Sequence, residues 1–292
     1  MLNGGGQNTL RRSKRNGGGQ ETTAAVWAAV SGMTIGEAWL RRDAPQGPDT
    51  IAKFQDAMTQ LERGVPFAYA VGRVPFRTVD LAIDSRALIP RPETEGLVGL
   101  VLAKCSTGGL VADIGTGSGC IALSLAVEGR FDKIIAVEQS PAAAALAREN
   151  VLRIAPVTPV EIRIGNLLAP LVDKGDRGDR YRVIVSNPPY LTAVEYEALD
   201  PSVRDFEPAD ALVSGPDGLA ATRALFAGAA DLLEPHGLLA IEIDERRGDA
   251  IRALGREYGW NEVEIHADLF GCPRYALATP GHGPGAGQFG EG

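Results

Sequence analysis

The chain has 292 residues, 45% hydrophobic and 23% charged, an ordinary globular composition long enough for one large domain or two smaller ones. Twelve of its 36 glycines fall in residues 1–20 and 281–292, and no Gly-X-Y period exists, which excludes a collagen-like chain. The net charge is −8; Arg11, Arg12, Lys14 and Arg15 stand in the first stretch without any acid, so residues 21–292 carry −12, and such an acidic body offers no electrostatic footprint for a phosphate backbone.

Residues 1–22 are polar, basic and glycine-rich and are expected to be a disordered tail, as are residues 281–292. Residues 23–72 read as a small helical domain, because Val26, Trp27, Val30 and Met33 recur at helical spacing, as do Phe54, Met58 and Leu61. Pro66, Pro75, Pro90 and Pro92 punctuate the next stretch of chain, and VDLAID alternates like a strand, so residues 73–95 read as a hairpin linker. From 96 to 280 strands and helices alternate. The strands are LVADIG, KIIAVE, VEIRI, YRVIVS and GLLAIEI; helices are predicted from Cys120, over AAAALARENV, over Gly218–Leu233 and over Arg246–Tyr258. EVEIHADL and RYALAT have no helix between them and predict an antiparallel edge pair. The sum is an α/β fold with a seven-stranded, mostly parallel sheet between helical layers.

Cys105, Cys120 and Cys272 lack any CxxC or metal-ligand spacing, and His236, His266 and His282 are scattered, so no metal site and a reducing compartment are expected. No apolar run approaches membrane-spanning length and the basic N-terminus has no apolar core of a signal peptide. A cytoplasmic protein that does not engage membranes is the expectation.

Two motifs carry chemistry. Asp113-Ile-Gly115-Thr116-Gly117-Ser118-Gly119 follows an apolar strand and opens a helix. Glycine permits the tight turn and the close approach of a ligand and of the next helix. The spacing is GxGxG behind an acid, whereas a dinucleotide pyrophosphate wants GxGxxG with free helix N-terminal amides. Asp113 repels a pyrophosphate and suits a ligand bearing an ammonium group, while Glu138, ending the next strand, can take both ribose hydroxyls of a nucleoside. The segment resembles the first motif of class I S-adenosylmethionine-dependent methyltransferases, which implies a Rossmann-like fold.

The second motif, Ser186-Asn187-Pro188-Pro189-Tyr190, ends a later strand, at the sheet edge where open α/β sheets bind ligands. The prolines fix the backbone, so the Asn187 side-chain oxygen and the Pro188 carbonyl can act as paired acceptors for a planar NH2 group, with Tyr190 stacking on it. NPPY serves methyltransferases of adenine N6 and of protein glutamine alike; it names a nitrogen geometry and leaves the substrate open.

Upstream, Gly64 to Gly72 (GVPFAYAVG) and Leu88-Ile-Pro90-Arg91-Pro92-Glu93-Thr94-Glu95, with Phe206-Glu207-Pro208, Gly215-Pro-Asp217-Gly218-Leu219 and Asp268-Leu-Phe-Gly271 later, resemble the HemK/PrmC family, the protein-glutamine N5-methyltransferases of class 1 peptide-chain release factors. The resemblance runs from about residue 23 to 279. It implies transfer of a methyl group from S-adenosyl-L-methionine to the glutamine amide of a release factor's GGQ loop, with no direct role for nucleic acid. It further implies that Asn187, Pro188, Pro189 and Tyr190 hold the amide, that Asp113 and Gly115 to Gly119 line the cofactor, that Glu138 holds its ribose, that Asn166-Leu167 meets its adenine and that Arg91, Pro92 and Thr94 cover it. The sequence departs from the family at Glu138 and Asn166, where aspartate is usual, and at Asp244 and Arg247, where the family has glycine and glutamine. An N6-adenine methyltransferase, a ribosomal-protein glutamine methyltransferase and a non-catalytic methyltransferase-like subunit are the alternatives.

Overall fold

The computed structural model describes residues 17–172 and 180–281, with side chains from residue 22 onward; the two expected terminal tails lie mostly outside this range. The first helix, α1 (Gly17–Ser31), starts upstream of the expected Thr23. Helix ends are set by backbone geometry and capping, so apolar periodicity beginning at Val26 does not mark this one. α2 (Ile35–Leu40) opens with a capping box between Thr34 and Glu37, and α3 (Pro48–Glu62) has proline in its first turn. Together with α4 (Phe67–Val71) they bury Val26, Trp27, Phe54 and Ala57, and the Trp27 and Phe54 rings meet edge-on at 5.2 Å. Met33 lies past the end of α1 but still packs on this cluster.

β1 (Arg73–Phe76) and β2 (Val79–Ala82) form the expected hairpin. α5 (Pro92–Lys104) follows, then β3 (Leu110–Ile114), α6 (Cys120–Glu128), β4 (Lys133–Glu138), α7 (Pro141–Ile154), β5 (Val160–Ile164) and β6 (Tyr181–Ser186). Short α8 (Ala193–Glu197) and α9 (Pro201–Arg204) decorate the loop after β6; α10 (Ala220–Gly228), β7 (Leu233–Glu242), α11 (Gly248–Glu257), β8 (Trp260–Ala267) and β9 (Pro273–Pro280) complete the chain. α10 stops short of the Leu233 limit expected for it, ending in a 3-10 turn, and β7 begins four residues before Gly237 because Leu233 already pairs with Tyr181 across an irregularity in register.

The seven strands lie in the order β5-β4-β3-β6-β7-β9-β8. β3 to β7 are parallel, and β9 inserts antiparallel between β7 and β8. Alternate residues serve opposite faces: Val111, Val183 and Val185 join α5 and α6 in one core, while Ala112, Ile114 and Ile184 join α10 and α11 in the other. This three-layer arrangement places the C-terminal ends of β4, β3, β6 and β7 side by side. Among the described residues, no helix is long and apolar enough to cross a membrane.

Candidate active site

The row of strand ends carries four polar residues: Glu138 on β4, Asp113 near the end of β3, Asn187 just past β6 and Glu242 on β7. On the β3–β4 side, Gly115, Gly117 and Gly119 have φ of 72°, 56° and 87°, the left-handed region that favours glycine. A methyl group on Gly115 would meet nothing within 4 Å, so this backbone faces open space; one on Gly119 would lie 3.1 Å from Leu123 Cδ1, so that glycine serves the approach of α6. Four of the five loop amides donate inside the protein. Gly115 and Thr116 donate to the Val137 carbonyl, Gly119 donates to Thr116 O, and Gly117 donates to Glu138 Oε2 at 2.9 Å. That leaves little for a pyrophosphate to bind and agrees with the expectation from spacing.

Glu138 is buried, and its other oxygen accepts from Ser140 N at 2.9 Å, so its carboxylate is fixed by backbone on both sides. Asp113 is fully buried. Its Oδ2 accepts from Thr116 Oγ1 at 2.6 Å and Ala122 N at 3.1 Å, while Oδ1 has no partner among the described residues, and burial pushes the carboxyl up to about 7. An unpartnered buried acid oxygen beside an open glycine turn fits a cationic ammonium ligand. Ser118 is buried with its carbonyl accepting from Asn150 Nδ2. Asn166 is exposed on the loop after β5, next to β4, where Gly165 N donates to Glu138 O; Leu167 takes a φ of 46° and half-buries its side chain in the core.

On the β6–β7 side, Ser186 Oγ donates to Ile114 O at 2.7 Å and ties the end of β6 to that of β3. A small pocket is lined by Leu88, Arg91, Asn187 through Tyr190, Ala211 and Leu212. Asn187 Nδ2 donates to Thr94 Oγ1 at 3.1 Å, and Thr94 Oγ1 donates to Glu242 Oε2 at 2.7 Å. Asn187 Oδ1 takes no hydrogen bond from the described residues. Tyr190 N and Leu191 N both donate to Leu212 O, and burial pushes the Tyr190 hydroxyl up to about 12. Arg91 donates to Glu207 Oε1 at 2.6 Å, and Ile89 N donates to the other oxygen at 3.1 Å, locking the IPRPETE segment to the loop beyond NPPY. Pro92, exposed, is the first residue of α5. The structure therefore brings Arg91 and Thr94 to the NPPY motif.

Three further residues brace this side. Gly218 has a φ of 73°, and any Cβ there would sit 2.4 Å from the Tyr190 carbonyl oxygen. Arg247 pairs with Glu195 at 2.7 Å and Asp244 at 3.0 Å, and its Nε donates to Asp217 O at 3.2 Å. The two departures from the resemblance, Asp244 and Arg247, thus form a mutual ion pair under the Tyr190 loop. Glu242 escapes a sequence reading as a site residue, although its signal is there: like Asp113 and Glu138 it is an acid at the end of a run of buried apolar residues. Among the described residues, no cluster of three His, Cys, Asp or Glu side chains is placed to hold a metal.

The profile of the family described as "Methyltransferase small domain" matches residues 94–201. Curated relatives include the release factor glutamine methyltransferase of Moorella thermoacetica, 37% identical over 256 residues that span 86% of this chain and 87% of that one. This chain belongs to the release factor glutamine methyltransferase family. The Xylella fastidiosa member is 38% identical over 252 residues, 85% of this chain and 88% of that one. Among solved structures, a methyltransferase from Pyrococcus furiosus superposes with a TM-score of 0.51 at 20% identity, covering 77% of this chain and 98% of that one, which confirms the class I methyltransferase fold.

Proposed function

We propose that this enzyme transfers a methyl group from S-adenosylmethionine to the side-chain amide nitrogen of the glutamine in the GGQ loop of a class 1 peptide-chain release factor. The observation that carries the reading is the pocket formed by Asn187 to Tyr190 on the same sheet edge as the open glycine turn, one strand away. Family membership supports the substrate class.

In this reading Glu138 holds the ribose, Asp113 faces the amino-acid ammonium, the Gly115–Gly119 turn lies along the ligand, and Asn166-Leu167 borders the adenine. Bound S-adenosylmethionine supplies an electrophilic methyl group on a sulfonium, and the amide nitrogen takes it with the C–S electron pair returning to sulfur. An amide nitrogen is a poor nucleophile because its lone pair is delocalised. Asn187 Oδ1 and the Pro188 carbonyl accept its two N–H groups, orient the nitrogen and shift electron density onto it. Tyr190 covers the amide plane. The surplus proton leaves to water once the nitrogen is cationic, so no strong base is needed beforehand.

A methyl-transfer assay with labelled cofactor, run against a purified release factor and against adenine-containing DNA, tests this. Label should enter the factor's glutamine and spare the DNA. Label in the DNA alone would overturn the reading.

A further inference from the structure

We propose that Thr94 and Glu242 are positioning residues that set the direction of the Asn187 amide, and through it select a carboxamide over a carboxylate as methyl acceptor. The inference rests on the methyl-transfer reading and deepens it.

A threonine hydroxyl has one proton to give. Thr94 is 2% exposed, so water does not take that proton, and Glu242 Oε2 at 2.7 Å does. What remains on Oγ1 is a lone pair, and the partner it faces is Asn187 at 3.1 Å. Only the NH2 end of the asparagine can meet a lone pair. The carboxylate acceptor thus fixes a one-way chain, from Asn187 N–H to Thr94 O–H to Glu242, and Asn187 Oδ1 is the end left for the pocket. Reversing the amide would put a donor against the donor NH2 of an incoming glutamine.

The same polarity repels the wrong substrate. A glutamate side chain presents acceptor oxygens at every position, so in the pocket it would oppose Asn187 Oδ1 and the Pro188 carbonyl with no proton between them. A site built to hydrogen-bond an NH2 group rejects an analogue without it because its buried acceptors are left unpaired. Neither positioning residue belongs to the NPPY strand. Thr94 comes from the first turn of α5 and Glu242 from the end of β7, so two neighbouring elements hold the asparagine.

The test uses Thr94→Val, which keeps the volume and removes the hydroxyl, and Thr94→Ser, which restores it. Steady-state turnover is measured on a release factor, with binding of S-adenosylhomocysteine followed by calorimetry and folding by thermal melting. Thr94→Val should lower kcat by about tenfold or more, while cofactor affinity moves less than about threefold, and Thr94→Ser should recover most of the loss. Competition by the Gln→Glu form of the same factor should strengthen in Thr94→Val relative to wild type. Unchanged kcat in a folded Thr94→Val, no rescue by serine, or a loss confined to cofactor affinity would each overturn the proposal, the last assigning Thr94 to the cofactor instead. A wild-type enzyme that fails to methylate the factor would overturn the underlying reading, and this inference with it.

Discussion

The two halves of the sheet edge are built by different means. Around β3 and β4 the groups are close in sequence and held mostly by main chain: Glu138 rests on two backbone amides, and Asp113 on a third together with the neighbouring Thr116 hydroxyl. Around β6 and β7 the same task falls to side chains that meet across the fold, Asn187 on Thr94, Thr94 on Glu242 and Arg91 on Glu207. A turn held by its own backbone tolerates change elsewhere in the chain. A chain of side chains depends on every link, and offers more places for substitution to tune selectivity.

The contrast can be broken most sharply at Asn187. Asn187→Ala should reduce kcat on the order of 100- to 1,000-fold while calorimetry finds cofactor affinity nearly unchanged. A matching loss of affinity would merge the two halves into one site. The mirror experiment is Glu138→Ala, which should weaken cofactor binding on the order of 10- to 100-fold, with kcat at saturating cofactor much less affected.

A smaller effect comes from the buried acids. Burial pushes Glu242 up to about 7, against opposing contributions from the Thr94 hydrogen bond, Arg274 and Arg91; Glu93, Tyr190, Tyr275 and Cys120 are the other titratable groups that face it. A carboxyl whose folded value exceeds its unfolded value near 4.5 stabilises the fold fully at low pH, and that contribution is lost as pH rises from about 4.5 to 7. Glu242→Gln should therefore flatten the fall in melting temperature across this window and be the more stable protein at pH 8. A parallel fall in both proteins would remove Glu242 as its source. If ionised Glu242 directs the amide, wild-type kcat should rise through pH 7, and Thr94→Val should blunt that rise because the coupling passes through its hydroxyl. The smallest effect belongs to the main-chain half. Gly119→Ala forces a left-handed residue against Leu123 and should cost about 1–2 kcal/mol, read as a drop of a few degrees in thermal melting.

Legibility in the sequence divides along the same line. The strands and the glycine turn can be read because period-two burial, a strand-to-helix turn and acids at strand ends are local patterns; Asp113, the three glycines and Glu138 emerge from short windows. The Thr94 contacts cannot, since its partners lie 93 and 148 residues away and no spacing rule connects them. Helix α5 is hidden for a related reason. Gly96 and Gly99 interrupt PETEGLVGLVLAK, and Gly96 is explained only in three dimensions: a Cβ there would sit on the Tyr275 ring and hydroxyl, which reach α5 from β9 to donate to Glu93 O at 2.6 Å. In sequence the arginine at 247 is only a local departure from the family; its partners Glu195 and Asp217 show that it braces the Tyr190 loop.

The bond from Ser186 Oγ to Ile114 O has a metrical meaning. β3 and β6 are adjacent parallel strands, and neighbouring strands stand about 4.8 Å apart. In the proposed reading the donor side hangs from one and the acceptor side from the other. Reaching distance for an in-line transfer, about 3–3.5 Å between reacting atoms, is thus marked off against a spacing that the whole sheet maintains. The serine stitches the two strands together where that spacing is put to use, so that the sheet serves as the enzyme's ruler as well as its scaffold.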